Sequence, residues 1–135
     1  TNIISELIKP NPSAVVRSWI DARDEQSLFL SVLTLGEIRQ GVEMQRNDPR
    51  KRAKLDRVLA DFQARFSGRI LDVDSVVAEM WGEINGRARL NGGPLSAVDS
   101  LIAATAIVHR LIVVTRNVKH FDATGANVFN PFHTA

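Results

Sequence analysis

Apolar residues recur along this chain with two different periods. Ile3, Ile4, Leu7 and Ile8 fall at helical spacing, and Pro10 with Pro12 ends that first helix. Ser13 to Arg23 reads as a second helix with Val15, Val16, Trp19 and Ile20 on one face, and Leu35 to Gln45 as a third with Ile38 and Val42 one turn apart. Asp48-Pro49 opens a longer helix, an acidic N-cap followed by proline at the first helical position. Its stripe is Leu55, Val58, Leu59 and Phe62, and Ser67-Gly68 stops it. Asp74 caps a helix to about Arg89 that turns Val77, Met80, Trp81 and Ile84 inward. Ser96 caps another, Ala97 to Arg110, apolar on nearly every side as buried helices are. Short apolar runs lie between the helices: Leu28–Val32, Ile70–Val73, Leu111–Thr115 and, weakly, Asn127–Phe129. The run at Leu111 is continuous and β-branched, which predicts a strand covered on both faces. Strands alternating with helices predict an α/β fold, a parallel sheet with helices on both sides.

Length and composition narrow the picture. The 135 residues suit a single domain, 1–135, with a core that needs no staples. The absence of cysteine excludes a disulfide scaffold, a Cys-type zinc finger and a thiol nucleophile. The formal charge of +2 says little by itself about partners. The longest apolar run, Leu101 to Val108, is too short to span a bilayer, and Thr1 to Glu6 lacks a basic leader. A cytoplasmic protein with no membrane partner is the expectation.

Open parallel sheets carry their sites beyond the carboxyl ends of the strands. Those ends supply Thr1-Asn2, Glu37, Ser96 to Asp99, and Thr115-Arg116-Asn117. Asp99, third in its helix, reads equally as a carboxylate complementing the helix dipole, worth about 0.3–1 kcal/mol. Glu37 reads equally as half of a capping box with Thr34. His109, His120 and His133 are far apart and lack metal-ligand spacing, so they read as surface histidines. The segment Arg46 to Arg57 carries six positive and two negative side chains. It is either a solvated face or a phosphate-contacting stripe in which Arg50, Arg52 and Lys54 take part.

Four stretches, taken in order, resemble the PIN-domain family, specifically bacterial toxins of VapC and FitB type. They are Thr1 to Leu7, Ser31 to Gly41, Leu95 to Ala106 and Val113 to Phe121, and together they span the chain. The resemblance implies a three-layer α/β/α fold whose central parallel sheet has the order 3-2-1-4-5, its first strand ahead of Thr1 and ending in an Asp. It also implies a metal-dependent endoribonuclease toxin that hydrolyses RNA through a water activated by Mg²⁺ or Mn²⁺. Glu37 and Asp99 map to the metal carboxylates, and the fourth acidic position falls on Asn117, catalytic but neutral here. The acid that some relatives carry three residues later is His120, and Asp122 is the other acid at hand. Thr1, Asn2, Thr115 and Arg116 would line the substrate. The implied partners are an RNA substrate and a cognate antitoxin that binds operator DNA, in a homodimer or a toxin–antitoxin hetero-oligomer.

The charge argument stands beside the resemblance. Two carboxylates about 5 Å apart repel by roughly 3 kcal/mol at an effective dielectric near 20, so a cluster of them needs a cation. Hard oxygen ligands suit Mg²⁺ or Mn²⁺. A catalytically impaired PIN-fold binding module is the alternative, favoured by the neutral Asn117. Two further readings stay open: Thr1 as an N-terminal nucleophile, and a phospho-acceptor Asp domain, although Thr115-Arg116 does not supply the lysine such a domain uses.

Overall fold

The computed structural model describes residues 14–133. The predicted helix over Ile3–Ile8, Thr1 and Asn2, and the strand expected ahead of Thr1 lie outside them. The chain divides into two compact units, residues 21–71 and residues 72–133 with 14–20.

Residues 21–71 hold one parallel strand pair and two helices. Strand β1 (Leu30–Ser31) lies beside β2 (Ile70–Leu71), with Leu30 opposite Ile70. Helix α2 (Val32–Met44) follows β1 directly and packs on α3 (Pro49–Arg65). Buried Ile38, Val42, Leu59, Phe62 and Phe66 form the core on their facing stripes. Asp48 caps α3 as its sequence predicts, its carboxylate accepting from the Lys51 N–H at 3.1 Å. The helix ends at Arg65 with Phe66 as its C-cap, and Gly68 then turns the chain with a φ of +81°, the left-handed conformation that glycine adopts at low cost.

The start of α2 departs from expectation. Ser31, not Thr34, is the N-cap, and its hydroxyl accepts from the Leu33 N–H at 3.1 Å. Thr34 is buried inside the helix. The chain passes from strand to helix within one residue, so the predicted five-residue strand contributes only a two-residue pair.

The turn before β1 is held ionically. Arg69 is buried, and its guanidinium donates to the carbonyls of Glu25, Leu28 (2.7 Å) and Arg65 (2.7 Å) while stacking 4.8 Å from the Phe66 ring. Glu25 pairs with Arg65 at 2.8 Å and with Arg69 at 2.9 Å. The hydrogen bond from Arg65, and then that from Arg69, hold its carboxyl below the ordinary value of 4.5 against the opposing effect of burial.

The other unit contains α1 (Ala14–Asp21, through residue 20), α4 (Ser75–Leu90), α5 (Ala97–Val108), and the parallel pair β3 (Val113–Val114) and β4 (Val128–Phe129). Asp74 caps α4, accepting from the Val77 N–H at 2.9 Å. Helix α5 is the hub. Ala103 and Ala106 pack with Val113 and Phe121, and Ala104 packs with Val77 and Ile84. Alanine on these faces lets both neighbouring elements come close. A 3-10 segment, Val118–Thr124, follows β3, and Trp19 of α1 stacks on Phe129 with ring centroids 5.3 Å apart.

Two expectations fail here. Helix α5 ends at Val108 rather than Arg110. His109 is its C-cap, and Arg110 takes φ +56° so that the Leu111 N–H reaches the Ala106 carbonyl at 2.8 Å. The strand after it is shorter than the Leu111–Thr115 run, since only Val113 and Val114 pair and Ile112 ahead of them is 59% exposed. Of the expected order 3-2-1-4-5 the described residues show two parallel pairs, β1–β2 and β3–β4, which are the 2-3 and 4-5 neighbours when one strand is counted ahead of them.

Candidate active site

Asp99 sits in the first turn of α5, yet the cap is another residue. The Ser96 hydroxyl accepts from the Asp99 N–H at 3.4 Å, so Ser96 is the cap and the Asp99 carboxylate lies in the first turn, where it also complements the helix dipole. Ser100 fixes the turn: its buried hydroxyl donates to the Ser96 carbonyl (2.7 Å) and the Ala97 carbonyl (3.1 Å), and accepts from Trp81 Nε1 at 3.0 Å. The Asp99 side chain keeps 25% of its surface exposed, and its Oδ2 lies 3.5 Å from His120 Nδ1.

The end of β3 completes this side of the site. Thr115 is buried, and its hydroxyl accepts from the Asn117 N–H at 3.1 Å. The Asn117 carbonyl accepts from the His120 N–H at 3.0 Å. Asn117 therefore opens the 3-10 segment with its backbone while its side chain makes no cap bond. Asp99, Thr115, Arg116, Asn117 and His120 are thus brought into one neighbourhood, with Asp122 exposed in the same segment. His120 is a correction. Read as an isolated surface histidine, it is a neighbour of Asp99. Its place three residues after Asn117, where some relatives carry an acid, was the available signal.

Glu37 belongs to the other unit, where it is exposed as the sixth residue of α2. Because Ser31 caps that helix, the capping box between Thr34 and Glu37 does not form. The basic stripe also changes membership. Arg52 pairs with Glu43 at 2.9 Å and turns toward α2. Arg50, Lys54 and Arg57 are exposed at successive turns of one face of α3.

Glu37 in its unit, and Asp99 with Asn117 in the other, each offer the oxygen donors that suit a hard divalent cation. Among the described residues no three His, Asp or Glu side chains gather within reach of one ion. No described helix is long and apolar enough to cross a membrane.

Parallel strand pairs alternating with helices define an α/β protein, and comparison with known proteins makes the class specific. The PIN domain model matches residues 1–127, running through both compact units, and the chain belongs to the PIN-domain family. Toxin FitB of Neisseria gonorrhoeae is 38% identical over 133 residues, covering 98% of this chain and 96% of that protein. VapC ribonuclease Y4jK of Sinorhizobium fredii is 33% identical over 135 residues, covering 100% of this chain and 96% of its own. A solved structure of FitAB bound to an IR36 DNA fragment superposes with a TM-score of 0.90 at 36% identity, covering 100% of this chain and 94% of that one.

Proposed function

We propose that this chain is a metal-dependent endoribonuclease, the toxin of a toxin–antitoxin pair, with Glu37 and Asp99 as its cation-holding carboxylates and Asn117 as the neutral fourth position. One observation carries the reading: the Asp99 carboxylate lies 3.5 Å from His120 Nδ1, and the Asn117 carbonyl holds the His120 backbone at the end of β3, so a carboxylate, an imidazole and an amide meet at one strand end. The similarity to a VapC ribonuclease supports RNA as substrate.

Mg²⁺ or Mn²⁺ held by these oxygens supplies Lewis acidity, lowering the pKa of water and offsetting charge on the phosphodiester. The protein's own residues do the rest. Ser96, Ser100 and Trp81 fix the turn that presents Asp99, and Thr115 fixes the backbone that presents Asn117. The exposed face of Arg50, Lys54 and Arg57 contacts the RNA backbone, with Arg52 committed to Glu43 instead. Thr1 and Asn2 stay in the proposal as substrate contacts outside the described residues. The similarity to FitAB bound to a DNA fragment supports a cognate antitoxin and DNA as partners; the reading adds operator DNA bound through the antitoxin, a homodimer or toxin–antitoxin hetero-oligomer, and a cytoplasmic location.

The test is RNA cleavage by the purified chain freed of antitoxin, with Mg²⁺, Mn²⁺ or EDTA. EDTA should abolish it, and Glu37→Gln and Asp99→Asn should each lower it by about a hundredfold or more with circular dichroism unchanged. Near wild-type activity in either variant removes the metal assignment. Antitoxin binding without any cleavage by the wild type would favour the impaired binding module.

A further inference from the structure

Arg116 is an arginine set in position with no carboxylate partner among the described residues. It is exposed, immediately after β3, with its Cζ 3.8 Å from the centroid of the Phe132 ring. Asn130 ties the two residues together. Its Nδ2 donates to the Arg116 carbonyl at 3.5 Å, and its Oδ1 accepts from the Phe132 N–H at 2.9 Å. Arg65 and Arg69 also stack on a ring, that of Phe66, but both spend their charge on Glu25. Among the described residues no carboxylate pairs with Arg116.

Stacking occupies one face of a guanidinium and leaves its N–H edge free, the edge that matches phosphate oxygens two at a time. The ring also removes rotamer freedom before any ligand arrives, which lowers the cost of binding. The location selects the ligand. Arg116 adjoins Asn117, whose carbonyl holds the His120 backbone, and His120 lies against Asp99. An anionic strand approaching Asp99 meets a repelling carboxylate and needs a fixed cation at the rim.

We propose that Arg116, preset on Phe132, grips a backbone phosphate of the RNA strand next to the bond cut at Asp99. This rests on the ribonuclease reading above and adds a specific phosphate-binding position to it.

Binding is measured separately from cleavage, using a mixed-sequence single-stranded RNA 20-mer with a fluorescent end label, in EDTA, across a salt series. Arg116→Ala should weaken binding by about tenfold and flatten the slope of log affinity against log salt by about 0.7, the value for one phosphate on a single strand. Arg116→Lys should restore the slope but only part of the affinity, because the charge returns without the planar fork. Phe132→Leu keeps apolar bulk and should weaken binding by about threefold with the slope unchanged, since only the presetting is lost. Affinity and slope in Arg116→Ala equal to wild type would overturn the proposal and leave Arg116 to a protein carboxylate such as one on the antitoxin. Wild-type affinity in Phe132→Leu would overturn the presetting by the ring. RNA bound through Arg116 but never cut on adding Mg²⁺ or Mn²⁺ would overturn the nuclease reading while supporting the phosphate grip. Wild type that fails to bind the RNA at all would overturn the grip itself.

Discussion

In residues 21–71 the contacts that fix the strand-bearing turn are ionic, with Arg69 buried between three carbonyls, a carboxylate and an aromatic ring. In residues 72–133 the equivalent task falls to a helix of small residues, Ala103, Ala104 and Ala106, locked at its start by serine hydroxyls and an indole N–H. Both arrangements present one carboxylate at the head of a helix that follows a strand or loop. They should answer differently to perturbation: the first to pH and loss of charge, the second to added volume.

The largest effect should come from Arg69→Met. It strands the Leu28 and Arg65 carbonyls and leaves Glu25 with one cation, at a cost of about 3 kcal/mol in urea unfolding. A loss below about 1 kcal/mol would mean that water replaces the guanidinium and that the ionic description is wrong. Second, Ala104→Leu forces extra volume between Val77 and Ile84 and should cost about 1–3 kcal/mol. No loss there would show slack in the packing of α4 on α5. The smallest effect belongs to Glu25. Its folded pKa lies below 4.5, so its contribution is complete above that value and is lost as pH falls through the lowered one. Glu25→Gln should therefore be less stable than wild type at pH 7, by no more than about 1 kcal/mol given the half-exposed pair, and converge with it once the pH is below the lowered pKa. Parallel stability curves across that range would remove Glu25 from the ionic set.

The sequence was most legible where one residue type has one physical use. Asp48, Asp74 and Ser96 are caps in the structure as in the pattern, because a short oxygen-bearing side chain before an apolar stripe has few other roles. The parallel pairing followed from alternation alone. Local rules misled where two neighbours compete for one task. Thr34 with Glu37 satisfies the capping-box spacing, but Ser31 sits three residues earlier and takes the helix start. Arg110 looks helical, yet the chain must turn into β3 and places it in the left-handed region despite a cost of about 1–2 kcal/mol relative to glycine. At the site, Asp99 and Asn117 were visible as strand-end residues. His120, Phe132 and the diversion of Arg52 to Glu43 were not, because each depends on a contact across at least nine residues that no local periodicity encodes.

The chain has two tryptophans and no tyrosine, and Trp19 and Trp81 both lie outside residues 21–71. Its indole emission therefore originates from one compact unit, and α2 and α3 are optically silent above the phenylalanine band. Trp81 donates to Ser100 beside Asp99, so its emission is an internal gauge of what happens at that carboxylate. Trp19, against Phe129, registers the β3–β4 side. Far-ultraviolet dichroism counts the helices of both units. A fluorescence melt and a dichroism melt recorded on one sample thus watch different parts of the molecule, and the gap between their midpoints measures how far the silent unit and the emitting one unfold as one.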